Sequence, residues 1–278
     1  MTRLRELEQS LAQGKISRRD FLARASALSA ISAISPALLS GTAMAATPKK
    51  GGRFRVGLNH GSTTDSLDPA TFENGYISFV GYGLRNHLTE ISNTGDLIPN
   101  LAESWEASDD AVQWTFKLRK GVEFHNGKTL DADDVVASIN HHRGDQSKSA
   151  AKPIVDPVTD IKADGKDTVV VTLEAGNADF PFVIGDYHLA IMPAADGGVD
   201  WQSGVGTGAF VLQSFEPGVR TTLKRNPNYW NEGRGHFDEA EILTIADVAA
   251  RTNALTTGEI DLADRLDIKT VHLLKRRK

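Results

Sequence analysis

The sequence predicts a mixed α/β fold, and three observations carry that reading. Residues 112–118 alternate, with Trp114, Phe116 and Leu118 on one side and Gln113, Thr115 and Lys117 on the other, the period of a half-buried strand. Thr168–Leu173 is a β-branched run suited to a central or half-buried strand. Between them, residues 131–139 carry a complete helix start: Asp131 as N-cap, Asp134 at N3 as in a capping box, and Leu130 with Val135 as a hydrophobic staple.

The stretch Gly206–Trp230 organises the rest. A Gly-Thr-Gly turn leads into a strand over 209–215, a hairpin turn at Glu216-Pro217-Gly218, and a second strand over 220–224. A coil then ends in Tyr229-Trp230. The glycines permit close backbone approach or positive φ. The stretch holds no obvious catalytic group.

Length and composition bound the function. The chain has 278 residues, 40% hydrophobic and 24% charged, with formal net charge −5. That balance fits a globular chain and lacks the basic surface of a nucleic-acid binder. There are no cysteines, which excludes disulfides, thiolate nucleophiles and cysteine metal sites.

Residues 1–45 read as a secretory signal. Arg18-Arg19 precede a modestly apolar run over 25–39, and Ala43-Met44-Ala45 is a small-x-small cleavage site. The paired arginines fit the twin-arginine type. Serines at 26, 29, 32 and 35 make the run too polar and too short for a membrane anchor. No cysteine follows the cleavage site, so no lipid anchor is expected.

Along the mature chain, 54–58 reads as a strand followed by a polar loop over 60–68, closed by Asp68-Pro69. This loop is a candidate ligand-facing element, with a solvent loop as the alternative. Ile77, Val80, Leu84 and Leu88 mark a helical face, which Gly81 and Gly83 weaken. Further strands are expected over 158–163, 188–192 and 240–245, and from about 258. A short helix is expected near 178–184, and a helix over 248–256 with Arg251 pointing outward. Lys269–Lys278 is basic, unlike the acidic body, and reads as a possible truncation point.

Competing motifs fail on their own terms. Gly204–Gly208 enters a strand where a dinucleotide loop must open a helix. Gly127-Lys128-Thr129 lacks the P-loop glycine, because residue 122 is Val122. No His-x-x-x-His pair or Gly-x-Ser-x-Gly elbow occurs. His141 and His142 are adjacent and are expected to be solvated. Trp105, Trp114 and Trp230 are expected in the core, while Trp201, in a polar glycine-rich loop, is a candidate ligand contact.

Several blocks resemble the family 5 extracellular solute-binding proteins, the dipeptide/oligopeptide-binding group of ABC import systems. They are Ile98–Trp105 with Asp109-Asp110, Trp114–Gly127 with Leu130–Val135, Gly206–Phe210 with Arg225–Trp230, and Gly258–Asp261, in family order. The resemblance implies a mixed-sheet, type II periplasmic-binding-protein-like fold. Residues 46–262 would be the first lobe of two, with the second lobe largely missing, and 263–278 a basic tail.

It also implies a noncatalytic, monomeric periplasmic protein without cofactor or metal. Such a protein encloses a small-molecule or peptide ligand and delivers it to an inner-membrane ABC permease. On this reading Ser62, Thr63, Thr64, Asp65, Trp201, Gly206, Thr207 and Gly208 would meet ligand. Two alternatives stand beside it: a periplasmic hydrolase using Asp65 or Asp68, and a truncated product that does not bind.

Overall fold

Two larger sheets, each with its own core, and two two-stranded ones are present in the computed structural model of the chain, which describes residues 48–269 and 271–274. Residues 1–47, where the export signal is expected, Thr270 and 275–278 of the basic end lie outside the described residues.

The first sheet has five strands: β1 (Arg53–Leu58), β10 (Phe210–Glu216), β11 (Arg220–Arg225), β12 (Glu239–Thr244) and β13 (Leu262–Ala263), in the order β10-β11-β12-β1-β13. β12 and β13 flank β1 in parallel, whereas β10-β11-β12 is an antiparallel meander. The period-two rule assigns the faces of β1. Val56 and Leu58 enter the core beneath helix α1 (Gly75–Leu84) with Ile77, Val80 and Leu84. Gly57, between them, faces the side chains of Ile260, Ile245 and Arg251 on the opposite side. Helix α1 begins at Asn74, whose side chain accepts from the amides of Tyr76 and Ile77. The buried Tyr76 hydroxyl donates to the Glu216 carbonyl at 3.0 Å and bonds the Thr221 hydroxyl at 2.7 Å, tying the helix to the hairpin. Burial pushes the Tyr76 phenol up to about 12.

The second sheet is antiparallel, β4-β5-β7-β6, from β4 (Ala102–Ala107), β5 (Gln113–Leu118), β6 (Val158–Ala163) and β7 (Thr168–Leu173). Trp114, Phe116 and Leu118 are buried as their alternation predicts. The same alternation pairs Phe116 with Val169 and Trp114 with Val171. Helix α2 (Ala132–Asn140) carries the full capping box: the Asp131 side chain accepts from the Asp134 amide, and the Asp134 side chain accepts from the Asp131 amide. Asp134 is fully buried, and its carboxylate also takes the Ala194 amide at 2.7 Å and pairs with Lys128.

The remaining elements are short: β2 (Thr89–Ile91) with β3 (Leu97–Pro99), β8 (Ala194–Ala195) with β9 (Gly198–Val199), and helices α3 (Lys152–Val155), α4 (Phe180–Val183) and α6 (Val271–Leu274). Helix α5 (Val248–Thr257) crosses from β12 to β13.

Four expectations are corrected. Residues 188–192 form no strand: His188 to Met192 are all buried, and the backbone is held by the Asn86 carbonyl at Ile191 and the Ser138 hydroxyl at Met192. Arg251 is not outward but 2% exposed. His142 is fully buried rather than solvated, and His141 bonds Asp68. The strand expected from 258 starts at Leu262, because Gly258 closes α5 in the left-handed conformation, φ 77°.

Candidate functional site

In open α/β sheets ligands meet the carboxyl ends of parallel strands. Here that edge is formed by the exits of β1 at Asn59, β12 at Ile245 and β13 at Asp264. The loop after β1 is a built structure. Ser62 N donates to Asp65 Oδ2 at 2.8 Å, and Asp65 N returns a bond to the Ser62 carbonyl at 2.9 Å. Asn74, the cap of α1, donates to Asp65 Oδ1 at 2.6 Å. The Ser62 and Thr64 hydroxyls bond each other at 2.7 Å, and the side chains of Thr63 and Thr64 are exposed.

The β10–β11 turn supports this loop from one side. Gly218 has φ 66°, and a Cβ there would stand 2.3 Å from the Ser62 carbonyl carbon. Only glycine meets both conditions.

The two carboxylates offered to hydrolysis are employed as acceptors. Asp65 holds the loop as described. Asp68 caps the 3-10 turn Pro69–Thr71 through the Ala70 amide and bonds His141 Nε2 at 2.8 Å. Burial works against the Asp68 carboxylate, but His141 and the Ala70 amide outweigh it and hold its carboxyl below the usual range. Among the described residues no group of three or more His, Cys, Asp or Glu is placed to hold a metal ion.

Trp201 reaches the same neighbourhood through Arg85. This guanidinium is 1% exposed and donates to the Leu67 carbonyl at 2.6 Å and to the Trp201 carbonyl at 3.0 Å. Burial lowers it to about 10, so it stays charged at neutral pH. One buried cation thus joins the end of the 60–68 loop to the loop bearing Trp201, itself half-buried. The sequence reading missed Arg85, which has no pattern to distinguish it from a solvated arginine.

Gly206, Thr207 and Gly208 sit elsewhere: all three are buried against the last turn of α1. The close approach that Gly206 and Gly208 allow is made to the helix end. The Gly208 amide donates to the Leu84 carbonyl at 2.9 Å. His125 spans the turn: its amide donates to the Gly206 carbonyl at 2.9 Å, Nδ1 accepts from the Gly206 amide, and Nε2 donates to the Gly208 carbonyl at 3.0 Å. The Thr207 hydroxyl donates to Asn86 Oδ1 at 3.0 Å, which also accepts from Trp230 Nε1 at 3.1 Å. Asn86 Nδ2 donates to the Tyr229 hydroxyl at 3.2 Å. Asn86, unremarked in the sequence, therefore gathers both ends of the Gly206–Trp230 stretch.

Residues 96–278 match the model of the bacterial extracellular solute-binding proteins, family 5 middle region. The chain belongs to this family. It is 30% identical over 228 residues to the probable D,D-dipeptide-binding periplasmic protein DdpA of Escherichia coli strain K12, a match covering 76% of this chain and 43% of DdpA. It is 30% identical over 186 residues to the nickel-binding periplasmic protein of the same strain, covering 63% of this chain and 34% of that protein. Among solved structures, AgaA of A. tumefaciens R10 in complex with agropinic acid superposes with TM-score 0.75 and 26% identity, covering 81% of this chain and 46% of AgaA.

The chain thus spans less than half the length of these family 5 relatives. The mixed α/β periplasmic-binding-protein-like fold expected from the sequence is the fold observed, with one lobe described. In family 5 terms, the block over 114–127 supplies β5 and the turn at His125, while Gly206–Trp230 supplies the β10–β11 hairpin and its packing on α1.

Proposed function

We propose that this chain forms a ligand-receiving lobe of a periplasmic solute-binding component of an ABC import system, with peptides as its ligand class. Residues 46–262 constitute the lobe. Residues 1–45 act as a twin-arginine-type export signal without a lipid anchor. The loaded protein, a monomer, hands its ligand to an inner-membrane permease, and capture proceeds by hinge closure of two lobes.

One observation carries the reading: an internally hydrogen-bonded, hydroxyl-rich loop at the carboxyl edge of parallel strands, in a chain of family 5. Ser62, Thr63, Thr64 and Asp65 meet ligand there, with Trp201 tied to the end of their loop through Arg85, whereas Gly206, Thr207 and Gly208 pack against the end of α1 and leave the ligand to that loop. Peptides are favoured because peptide binders recur among the relatives. These include the di/tripeptide-binding protein 1 of Pseudomonas aeruginosa and the periplasmic oligopeptide-binding protein OppA of E. coli. Among the described residues no helix is long and apolar enough to cross a membrane.

A thermal-shift panel tests the reading, with di- and tripeptides, opines, sugars and Ni²⁺ as ligands. A ligand binding only the native state at a hundred times its Kd adds about 2.7 kcal/mol, so a peptide is expected to raise Tm by several degrees. A Tm moved by Ni²⁺ or an opine but by no peptide would contradict the ligand class. A Tm moved by none would contradict binding by this chain.

A further inference from the structure

Three segments leave the five-stranded sheet at its carboxyl edge, after β1, β12 and β13, and one buried side chain ties them together. Arg251 lies on α5 and is 2% exposed. Its Nη1 donates to the carbonyls of Ile245 (2.5 Å) and Ala246 (3.2 Å), where the chain leaves β12. Its Nε donates to the Asp264 carbonyl (3.0 Å), and its Nη2 to the Arg265 carbonyl (3.0 Å), where the chain leaves β13. Asp264 Oδ1, 3.4 Å from Arg251 Nε, accepts from the Asn59 amide at 2.8 Å, where the chain leaves β1.

The chemistry needs arginine. Four carbonyls in different directions can be met by a planar fork of five donors, whereas a lysine ammonium is a point charge with three donors. The β1 face leaves room for it. Gly57 stands opposite α5, and a Cβ there would meet Arg251 Cγ at 3.6 Å and Ile260 Cδ1 at 2.5 Å. Arg265, whose carbonyl the guanidinium holds, has φ 43°, a conformation a non-glycine residue keeps only when its surroundings impose it.

We propose that Arg251 is a positioning residue of the ligand edge. Through Asp264 it fixes the base of the loop that begins at Asn59, and through the Ile245, Ala246 and Arg265 carbonyls it fixes the heading of the chain beyond β13. Its effect on ligand rests on the proposed function. Its effect on the edge does not.

The test is amide hydrogen exchange on the full chain, comparing wild type with R251K and D264N, alongside calorimetric titration with trialanine. In R251K, exchange is expected to rise at least tenfold in segments 59–65, 245–247 and 264–269, while β5 and β7 keep wild-type rates. In D264N, which weakens only the relay to Asn59, the rise is expected at 59–65 and not at 245–247. Trialanine affinity is expected to fall at least tenfold in R251K. Wild-type exchange at the edge in R251K, or a rise shared equally by both sheets, would overturn the positioning role. If R251K does not fold, D264N decides: no selective rise at 59–65 overturns the proposal. A wild type that binds no trialanine while R251K loosens the edge selectively would count against the peptide reading alone.

Discussion

Lowering the pH from 7.5 to 4 is expected to remove about 3 kcal/mol of stability through His142 alone. The ring is fully buried, its Nδ1 bonds the Ser149 hydroxyl at 2.6 Å, and its Nε2 has no hydrogen-bond partner among the described residues. Burial first, and then the charge of His141, pushes the imidazole down to about 4 from 6.5. A group depressed in the folded state binds its proton more readily when unfolded. Its stabilising contribution is therefore complete above pH 6.5 and is lost as pH falls through that window toward 4. At 1.36 kcal/mol per unit the loss reaches about 3 kcal/mol at pH 4.

Buried His87 is also pushed down, by burial, and adds to the loss in the same direction. Asp68 and Asp186, both held low, lose their contributions only at more acid pH. Urea unfolding of wild type and His142→Phe at pH 7.5 and 4 checks the assignment. The variant should lose about 3 kcal/mol less than wild type between the two pH values. An equal loss in both would mean that His142 is not held neutral.

Substituting alanine for Gly206 should destabilise the fold by about 3 kcal/mol, at the upper end of overpacking costs. A Cβ at that position would lie 2.1 Å from the Leu84 carbonyl oxygen and 2.5 Å from Arg85 Cγ. The oxygen belongs to backbone that also receives the Gly208 amide, so relief requires the end of α1 to move. Gly208→Ala should act alike, since its Cβ would meet the Gly83 carbonyl oxygen at 2.5 Å. Gly75→Ala is the control. Among the described residues nothing beyond its chain neighbours and its own helix backbone lies within 4 Å of its Cβ, and it opens helix α1, so it should be neutral or stabilise by up to about 1 kcal/mol. Urea midpoints give the comparison. A Gly206→Ala variant as stable as Gly75→Ala would show that the turn is not wedged against the helix.

What the sequence made legible was whatever local rules decide. The alternation at 113–118, the Asp131–Asp134 box and the hairpin turn at Gly218 each specify their element through near neighbours, and each is present. The failures share a different cause. The run 188–192 is apolar enough for a strand, but its backbone partners are a loop carbonyl and a serine hydroxyl brought from far along the chain. Arg251 and His142 are polar residues in polar stretches, and local pattern assigns those to water. Only the closing of β12 and β13 beside β1 gives Arg251 its carbonyls, and only the packing of Ser149 gives His142 its partner.

The candidate site divides along the same line. The 60–65 loop could be picked out because it is polar and follows a strand. That the strand is parallel to its neighbours, so that the loop stands at a carboxyl edge, is a matter of topology. Gly206–Gly208 could be read as a place of close approach, but what it approaches could not be read.

The most direct measurement is an amide-exchange footprint of the chain with and without the peptide that shifts its melting temperature most. Protection is expected at 59–65, 216–219 and 245–247, with β5 and β7 unchanged. Protection confined to the cleft lined by His87, Tyr229 and Arg234, at the other end of α1, would contradict a ligand site at the carboxyl edge.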